Sequence, residues 1–338
     1  MTDQRNGLLA GGNWILDRVK IVDRYPEQDG LAHILEQSTG NGGSPYNVLK
    51  DLAKLNAPFP LAGAGLVGED EDGSFILEDC RAHGIDTAHI RRTAGADTSY
   101  TDVMTVRSTG RRTFFHQPGA NRLLDAGDFP LGGSRAKIFH LGYLLLLDRL
   151  DEVGTDDRTG AARLFREARS LGFKTSADVV SEDGDRVPAI VNASLPAIDY
   201  LFLNELEAER ITGVSTRLAE SVGWEGLSRA ARELVDRGVN DLVCIHSPRG
   251  ALARTSTGRE CRQASVDLPA EKVVGTVGAG DALAAGVLFG LHEGWEIEPS
   301  LRLGVCAAAS SLFHPASSEG VLPWKECLQL GETFGFRG

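Results

Sequence analysis

A glycine-rich turn next to a single acid is the part of this sequence best suited to chemistry. The turn consists of Gly278, Ala279 and Gly280, and Asp281 follows it at the start of an apolar stretch with helical spacing. Unpaired N–H groups and the positive end of the helix dipole make such a start a predicted anion site. Asp281 would repel a bound phosphate unless it acts as a base during phosphoryl transfer to an alcohol. The alternative is an ordinary helix with an acid in its first turn.

A second glycine-rich turn, at residues 40–47, opens another predicted helix, with Pro45 suited to its first turn. Asn47 follows the bare backbone of Gly42 and Gly43. Two interpretations of Asn47 stay open at this point. Its amide either hydrogen-bonds a ligand over a floor of glycine backbone, or it is an ordinary polar residue near a helix start.

The segment Gly63–Gly68 matches the dinucleotide-binding pattern Gly-x-Gly-x-x-Gly. Four acids, residues 69–72, follow directly where a pyrophosphate would have to lie, and we expect a helix only after Gly73. The charge repulsion argues against a dinucleotide cofactor. We interpret this segment as the end of a strand followed by a turn.

Composition excludes several classes of protein. The chain has 338 residues and a formal net charge of −12, which argues against a nucleic-acid or anionic-membrane partner. Its five cysteines form no CxxC pair, and the N-terminal residues lack a hydrophobic signal segment. We therefore expect a cytoplasmic protein that handles small molecules in a local site.

Strands alternate with helices along most of the chain, which predicts a parallel sheet with ligands at its carboxyl ends. The segment Leu8–Asp17 reads as the first strand, broken by two glycines and ending on a carboxylate. A hairpin formed by Ser99–Val106 and Arg112–His116 interrupts the alternation and is predicted to cover the site. Later, Asn204 follows the predicted strand Tyr200–Leu203.

Four segments occur in an order and spacing that resemble the ribokinase-like (PfkB) carbohydrate kinase family, over nearly the whole chain. They are Gly42–Asn47, Gly119–Asn121, Asn204–Glu207 and Gly278–Asp281. The resemblance implies a single α/β domain over residues 1–338. This is a Rossmann-like, three-layer α/β/α fold with a mainly parallel central sheet and a small β-sheet lid, whose strands are inserted from about residues 17–38 and 97–117. It also implies ATP-dependent phosphorylation of a hydroxyl of a small sugar or sugar-like polyol.

The resemblance implies a role for each matching residue. Asp281 would be the general base, and the backbone N–H groups of Gly278, Ala279 and Gly280 the anion hole. The residues implied to bind the acceptor are Asp17, Asn13, Gly42, Gly43, Asn47 and Asn121. Those implied to bind the nucleotide are Asn204, Ser247, Gly250, Gly278 and Gly280. Asn204 and Glu207 would organise Mg²⁺ through water.

The resemblance also bears on a second cation and on assembly. Relatives usually carry an acid at the position of Gly275 that helps to bind a monovalent cation, so activation by potassium is doubtful here, although the Gly275 carbonyl could contribute. Many relatives form homodimers through the lid, and we expect the same of this chain.

Two alternatives stay open from the sequence. One is a nucleoside kinase of the same fold, in which Tyr100 or Phe115 of the lid stacks on a base. The other is a sugar-binding regulator without catalysis. Three further residues, Asp178, Arg112 and His116, either contact the substrate or serve surface and lid packing.

Overall fold

The computed structural model describes residues 5–155, 158–182, 184–218 and 221–338. Its strands are β1 Leu8–Gly12, β2 Ile15–Val22, β3 Ile34–Gly42, β4 Leu61–Gly68, β5 Asp86–Thr93, β6 Ser99–Val106, β7 Arg112–Gln117, β8 Ile138–Leu144, β9 Lys174–Val179, β10 Tyr200–Asn204, β11 Arg217–Leu218, β12 Ser221–Val222, β13 Leu242–Ser247, β14 Gly250–Thr255 and β15 Glu260–Ala264. Its helices are α1 Ser44–Lys54, α2 Glu71–Ala82, α3 Asp148–Asp151, α4 Gly160–Ser170, α5 Val187–Ser194, α6 Glu205–Thr212, α7 Trp224–Asp236, α8 Ala279–His292, α9 Ile297–Ser311 and α10 Trp324–Phe334.

A nine-stranded sheet forms the centre of the fold, in the order β15-β14-β13-β10-β9-β8-β1-β4-β5. All neighbouring pairs from β13 to β5 are parallel, whereas β13, β14 and β15 form an antiparallel edge. Helices cover both faces, so the inner strands are apolar along their whole length rather than on alternate residues. Strand β8, for example, is almost entirely buried. The predicted α/β class with a mainly parallel sheet is confirmed.

Two hydrophobic cores lie on the two faces of this sheet and make the fold three-layered. One contains buried side chains of α1, α2, α8 and α9, including Leu49 and Leu301. The other contains those of α4, α5 and α7, including Phe165 and Leu234. Helix α8 is apolar around nearly its whole circumference because it is enclosed by α1 and α9 in the first of these layers.

The first predicted strand divides into two strands that belong to different sheets. Strand β1 lies in the nine-stranded sheet, and after Asn13 and Trp14 the chain enters β2 of a second sheet. The prediction of one strand over Leu8–Asp17 is therefore wrong. At Gly12, with φ 122°, an added Cβ would lie 1.9 Å from the carbonyl oxygen of Gly142, so the chain changes direction where only glycine fits.

The second sheet has four strands in the order β3-β2-β6-β7. Its central pair, β2 and β6, is parallel, and each outer strand pairs antiparallel to its neighbour. The predicted hairpin is confirmed, with β6 and β7 paired from Tyr100 to Thr105. We refer to this sheet as the lid.

The acidic run after β4 begins a helix rather than delaying it. Helix α2 starts at Glu71, and the side chain of Asp70 caps it by accepting a hydrogen bond of 2.7 Å from the N–H of Gly73. The expectation that the helix opens only after Gly73 is thus wrong. The capping carboxylate takes the place that a pyrophosphate would need, which agrees with the absence of a dinucleotide site argued from charge.

Across the described ranges, every helix is too short or too polar to cross a lipid bilayer. The cysteines are all free thiols, and four of them are buried.

Candidate active site

A cavity of about 590 Å³ lies where the carboxyl ends of the parallel strands face the lid. We call it the central cavity. Residues from the ends of β8, β9 and β10 line one side, and lid residues line the other. The carboxyl edge of a parallel sheet is the usual place for ligands in such folds. The sequence-predicted residues that line it are Asp17, Gly43, Asn47, Asn204, Glu207, Gly278, Ala279, Gly280 and Asp281.

Asp281 occupies the first turn of α8 and faces this cavity. The helix starts at Gly278, whose φ of 74° favours glycine, and no side chain caps its N-terminus. The amide of Asn47 donates a hydrogen bond of 2.8 Å to Asp281 Oδ2. The hydroxyl of Tyr143 donates to both carboxylate oxygens, at 3.0 and 2.9 Å. Asp281 therefore has two neutral donors, and no ion pair is found for it among the described residues.

Burial and neighbouring charge make Asp281 a stronger base than an exposed carboxylate. Burial, followed by the charge of Asp178, raises the pKa of Asp281 to about 8, against the hydrogen bonds from Asn47 and Tyr143. A base with a pKa near neutral pH suits proton abstraction from an alcohol.

Asp17 lies across the cavity on lid strand β2. Burial raises the pKa of Asp17 to about 7, although the nearby positive charge of Arg112 opposes this increase. Gly42 of the neighbouring strand β3 leaves the space that this side chain needs, because an added Cβ would lie 2.3 Å from Asp17 Oδ1. Gly42 thus supports the carboxylate without lining the cavity itself.

The predicted acceptor contacts of Asn13 and Asn121 are not found. Both side chains are fully buried and neither lines the central cavity. Asn13 donates to the carbonyl of Leu146 at 2.9 Å and accepts from the N–H of Tyr143. Asn121 pairs with both backbone groups of Trp14, at 3.2 Å each. The two amides hold the backbone on either side of the point where the chain passes from the large sheet into the lid.

Asn204 and Glu207 form a reciprocal cap at the start of α6. The N–H of Glu207 donates to Asn204 Oδ1, and the N–H of Asn204 donates to Glu207 Oε2, both at 2.8 Å. The hydroxyl of Ser181 also donates to Glu207, at 2.7 Å. Burial raises the pKa of Glu207 to about 7. These oxygens keep spare lone pairs that can accept hydrogen bonds from water. The pair therefore suits binding of a hard cation such as Mg²⁺ through its water ligands better than direct coordination of the ion.

A second depression of about 480 Å³ adjoins the central cavity. We call it the side groove. It contains the predicted nucleotide-binding residues Asn204, Ser247, Gly250 and Gly280, whereas Gly278 lines only the central cavity. Apolar side chains of α8 and α9, such as Leu283 and Val305, form much of its wall. A groove with an apolar wall that leads to an anion-binding turn suits a nucleotide. Its nucleobase would lie toward the outer end of the groove and its phosphates at the turn.

The two depressions meet at the turn before α8. Thr276, Ala279 and Gly280 line both of them. An added Cβ at Gly280 would lie 2.9 Å from Nε2 of His246, so this ring would have to move to admit a larger residue. Burial lowers the pKa of His246 to about 4, so its ring is neutral and packs on the turn without adding charge.

Arg112 links the lid to this junction. Its guanidinium donates a hydrogen bond of 2.6 Å from Nη2 to Thr276 Oγ1. Among the cavity-lining residues of the described chain it is the only lysine or arginine. His116 lines the cavity beside it, with Nδ1 3.0 Å from Thr101 Oγ1. Of the residues left open by the sequence, Arg112, His116 and Asp178 thus all face the cavity.

The aromatic residues proposed to stack on a nucleoside base lie elsewhere. Tyr100 packs beneath the guanidinium of Arg18, 4.1 Å from the ring centroid, and does not line the cavity. Phe115 is 51% exposed and also lies outside the lining. Phe114 lines the cavity instead.

Tyr143 is the main site residue that sequence analysis missed. It lies in an apolar stretch with no polar pattern, and its partner Asp281 is 138 residues away. Asp178 belongs to a buried chain in which Ser44 Oγ donates to Asp178 Oδ2 at 2.6 Å and lies 2.8 Å from His140 Nε2. The other oxygen of Asp178 has no hydrogen-bond partner within the described chain. The Gly-rich turn before α1 thus also fixes an acid at the end of β9.

Gly275 packs tightly against the segment that follows α9. An added Cβ would lie 2.7 Å from the Cα of Pro315 and 2.8 Å from the carbonyl oxygen of His314. An acid at this position would therefore need that backbone to move, which accounts physically for the glycine.

The helix start, the cavity and the lid together indicate a class of protein. An open helix start next to a buried carboxylate, beneath a lid and beside a groove, fits a small-molecule phosphotransferase. The sequence profile described as "pfkB family carbohydrate kinase" matches residues 10–325. The chain belongs to this family, as a sugar or nucleoside kinase.

Individual relatives agree with this assignment. The chain is 26% identical to the ketohexokinase of Mus musculus, with 93% of this chain and 98% of that protein covered. It is 27% identical to the ribokinase of Arabidopsis thaliana, with 89% of this chain and 75% of that protein covered. The structure of Arabidopsis thaliana ribokinase complexed with ribose and ATP superposes with a TM-score of 0.78 at 23% identity, over 97% of this chain and 99% of that one. This superposition shows the shared ribokinase-like fold.

Proposed function

We propose that this protein transfers the terminal phosphoryl group of ATP to a hydroxyl of a small sugar or sugar-like polyol. One observation carries the proposal. Asp281 lies in the first turn of α8, directly after the open N–H groups of the turn, and faces the same cavity as Asp17. Neutral donors hold Asp281, so the carboxylate is directed at the cavity rather than neutralised by an ion pair.

In this mechanism Asp17 and Asn47 hold acceptor hydroxyls, and Asp281 removes the proton from the reacting hydroxyl. A carboxylate accepts hydrogen bonds from vicinal hydroxyls, and an amide both donates and accepts, which suits a polyol. The backbone N–H groups of Gly278, Ala279 and Gly280 stabilise the charge on the transferring phosphoryl group. Tyr143 keeps the carboxylate of Asp281 oriented through its two hydrogen bonds.

The nucleotide would lie in the side groove, with Ser247 and Gly250 along it and its phosphates at the junction. Asn204 and Glu207 would hold Mg²⁺ through water, and this ion would neutralise phosphate charge. Such neutralisation matters here because Asp17, Asp178, Glu207 and Asp281 all line the same cavity. Each carboxylate would otherwise repel the phosphates.

Arg112 would supply the remaining positive charge from the lid. Its contact with Thr276 places the guanidinium beside the turn that binds the phosphates. Closure of the lid would bring this charge to the transferring group and exclude water, which competes with the acceptor hydroxyl.

A coupled ADP-release assay across monosaccharides, sugar acids, cyclitols and nucleosides tests the proposal. We expect Mg²⁺-dependent ADP release with at least one polyol, and a rate roughly 10²–10⁴-fold lower with Asp281→Asn at the same protein concentration. Absence of acceptor-dependent ADP release from the folded wild-type protein would contradict it. The same result would favour the alternative of a sugar-binding regulator.

A nucleoside acceptor is the second candidate, and one observation favours it. Phe114 of strand β7 lines the cavity and offers an aromatic face, although Tyr100 and Phe115 do not. Competition between adenosine and unlabelled hexoses or pentoses in the same assay separates the two. Substitution Phe114→Leu would reduce kcat/KM for a nucleoside more than for a sugar.

We also propose that the lid mediates a homodimer. Its outer strands expose large apolar side chains, with Ile34 53%, Leu35 44% and Phe115 51% accessible. Exposed apolar side chains of this size are typical of interaction surfaces. Light scattering after size exclusion should give the mass of a dimer, and Leu35→Glu should give that of a monomer.

A further inference from the structure

A buried chain of side-chain amides lies behind Asn47, on the side away from the cavity. Its first member is Asn41, at the end of lid strand β3. Asn41 is only 1% exposed and is not part of the cavity lining. No catalytic or binding role has been assigned to Asn41 so far.

The distances define how the chain is oriented. Asn41 Nδ2 donates to Asn47 Oδ1 at 2.7 Å and to Ser318 Oγ at 2.9 Å. Asn47 Nδ2 then donates to Asp281 Oδ2 at 2.8 Å. Each amide uses its donor end toward the next group, and the chain ends on the carboxylate of the base.

The orientation of the Asn47 amide decides whether Asp281 faces a hydrogen-bond donor or an acceptor. A side-chain amide has a donor end and an acceptor end, and Asn47 could be turned either way in an empty pocket. With Asn47 turned over, its carbonyl oxygen would face the carboxylate of Asp281, and its NH₂ group would face the NH₂ group of Asn41. Both contacts would be repulsive, so Asn41 and the carboxylate of Asp281 together favour the orientation in which Asn47 donates to Asp281.

We propose that Asn41 is a positioning residue for the general base, acting through the amide of Asn47. The inference rests on the proposed function, in which Asp281 must be ionised to accept the acceptor's proton. Asn41 itself touches neither the acceptor nor the phosphates.

The charges around Asp281 show why one donor matters. Acids face it from three elements, namely Asp178 on β9, Asp17 on β2 and Asp51 on α1, and Tyr143 faces it from the end of β8. Asp178 and Asp17 raise the pKa of Asp281, and the hydrogen bonds from Asn47 and Tyr143 lower it. Asp51 is fully buried, and burial raises its pKa well above the ordinary value, which favours its neutral form. Loss of the Asn47 donor therefore leaves the ionised base with Tyr143 as its remaining donor among the described residues.

The test is the pH profile of kcat/KM for Asn41→Leu, which keeps the size of the side chain and removes its donor. We expect the acid limb to move to higher pH by about one to two units, because a hydrogen bond to a charged group accounts for a shift of that order. The plateau at high pH and the KM for ATP should change little. The exposed Gln37 on the same strand provides the matched control, and Gln37→Leu should reproduce the wild-type profile. A profile of Asn41→Leu that coincides with that of the wild type would overturn the inference.

A second measurement needs no substrate and so separates this inference from the proposed function. Carboxyl ¹³C NMR of aspartate-labelled protein, with the Asp281 signal assigned by its loss in Asp281→Asn, follows the titration of the base directly. In Asn41→Leu this signal should titrate at higher pH than in the wild type. An unchanged titration would refute the positioning role even if kinase activity is found. A shifted titration would support it even if no acceptor has yet been identified. A circular dichroism melt confirms that each variant is folded.

Discussion

Helices α2 and α8 both follow glycine-containing segments and both carry acids in the first turn, yet their N-termini differ. Asp70 caps α2 with its own side chain, and Thr98 donates to the same carboxylate from its N–H at 2.6 Å. Helix α8 begins at Gly278 with no side-chain cap, and its acid faces a cavity. The two acids also differ in basicity. Although burial opposes it, hydrogen bonds from Thr98 and Gly73 hold the pKa of Asp70 below its ordinary value, whereas that of Asp281 is raised to about 8.

The comparison shows that a glycine-rich helix start is not by itself a phosphate site. What matters is whether the chain's own side chains already satisfy the first N–H groups. At α2 they do, and the carboxylate stabilises the fold. At α8 they do not, so the N–H groups stay available for an external anion.

The largest expected effect comes from removing the base. Asp281→Asn should lower kcat by roughly 10²–10⁴-fold, the usual contribution of a positioned general base. Steady-state kinetics at saturating ATP measures the effect. Asp70→Asn is the matched control at the other helix, and its kcat should equal that of the wild type because asparagine also caps helices well. If Asp281→Asn and Asp70→Asn lowered kcat equally, the proposed difference between the N-termini of α8 and α2 would be wrong.

The next effect concerns the positive charge at the open helix start. Arg112→Gln should lower kcat by roughly 10²-fold, the order found when one donor to a developing negative charge is removed. Arg112→Lys should restore part of this rate, since lysine keeps the charge but lacks the planar fork. Arg111, its exposed neighbour, gives the control Arg111→Gln. A reduced affinity for ATP with an unaltered kcat would instead assign Arg112 to binding alone.

Asp70 and Asp281 should make stability depend on pH in opposite senses. The lowered pKa of Asp70 gives a contribution to stability that is lost as pH falls, whereas the raised pKa of Asp281 gives one that is lost as pH rises. The folded protein holds a proton on Asp281 up to about pH 8, whereas the unfolded chain releases it near the ordinary value of 3.8. This contribution to stability is fully present below the unfolded pKa and is lost as pH rises through about 8. Asp281→Asn carries no such loss, so its Tm should exceed that of the wild type increasingly from pH 5 to pH 8. Thermal melts across this range check the sign, and a constant difference in Tm would contradict it.

The smallest expected effect is structural. Asp70→Ala should lower the free energy of unfolding by about 0.5–2 kcal/mol, the usual cost of losing a helix cap, without lowering kcat. Denaturant melts measure it, and Glu71→Ala serves as the control because Glu71 is exposed and does not cap the helix. A loss of kinase activity in Asp70→Ala would mean that α2 is coupled to the site.

Local chemistry explains which parts of this structure the sequence predicted. The turn before α8 and the lid hairpin each depend on residues a few positions apart, and each forms where it was expected. Tyr143 could not be found in this way, because its role depends on strand β8 ending beside a helix that begins far later in the chain. Asn13 was assigned to the wrong surface because the direction of its side chain depends on the change of sheet after β1.

The change of sheet after Gly12 has a mechanical consequence. Only two residues separate the rigid platform of the large sheet from strand β2, and buried amides from Asn13 and Asn121 clamp the backbone there. The lid is therefore attached to the large sheet at this point by a short connection that is fixed by hydrogen bonds. Asp17 lies only three residues beyond Trp14, so its position depends directly on this connection. Under the proposed function, Asn13 and Asn121 would thus set the position of an acceptor held by Asp17 relative to Asp281 without lining the cavity themselves.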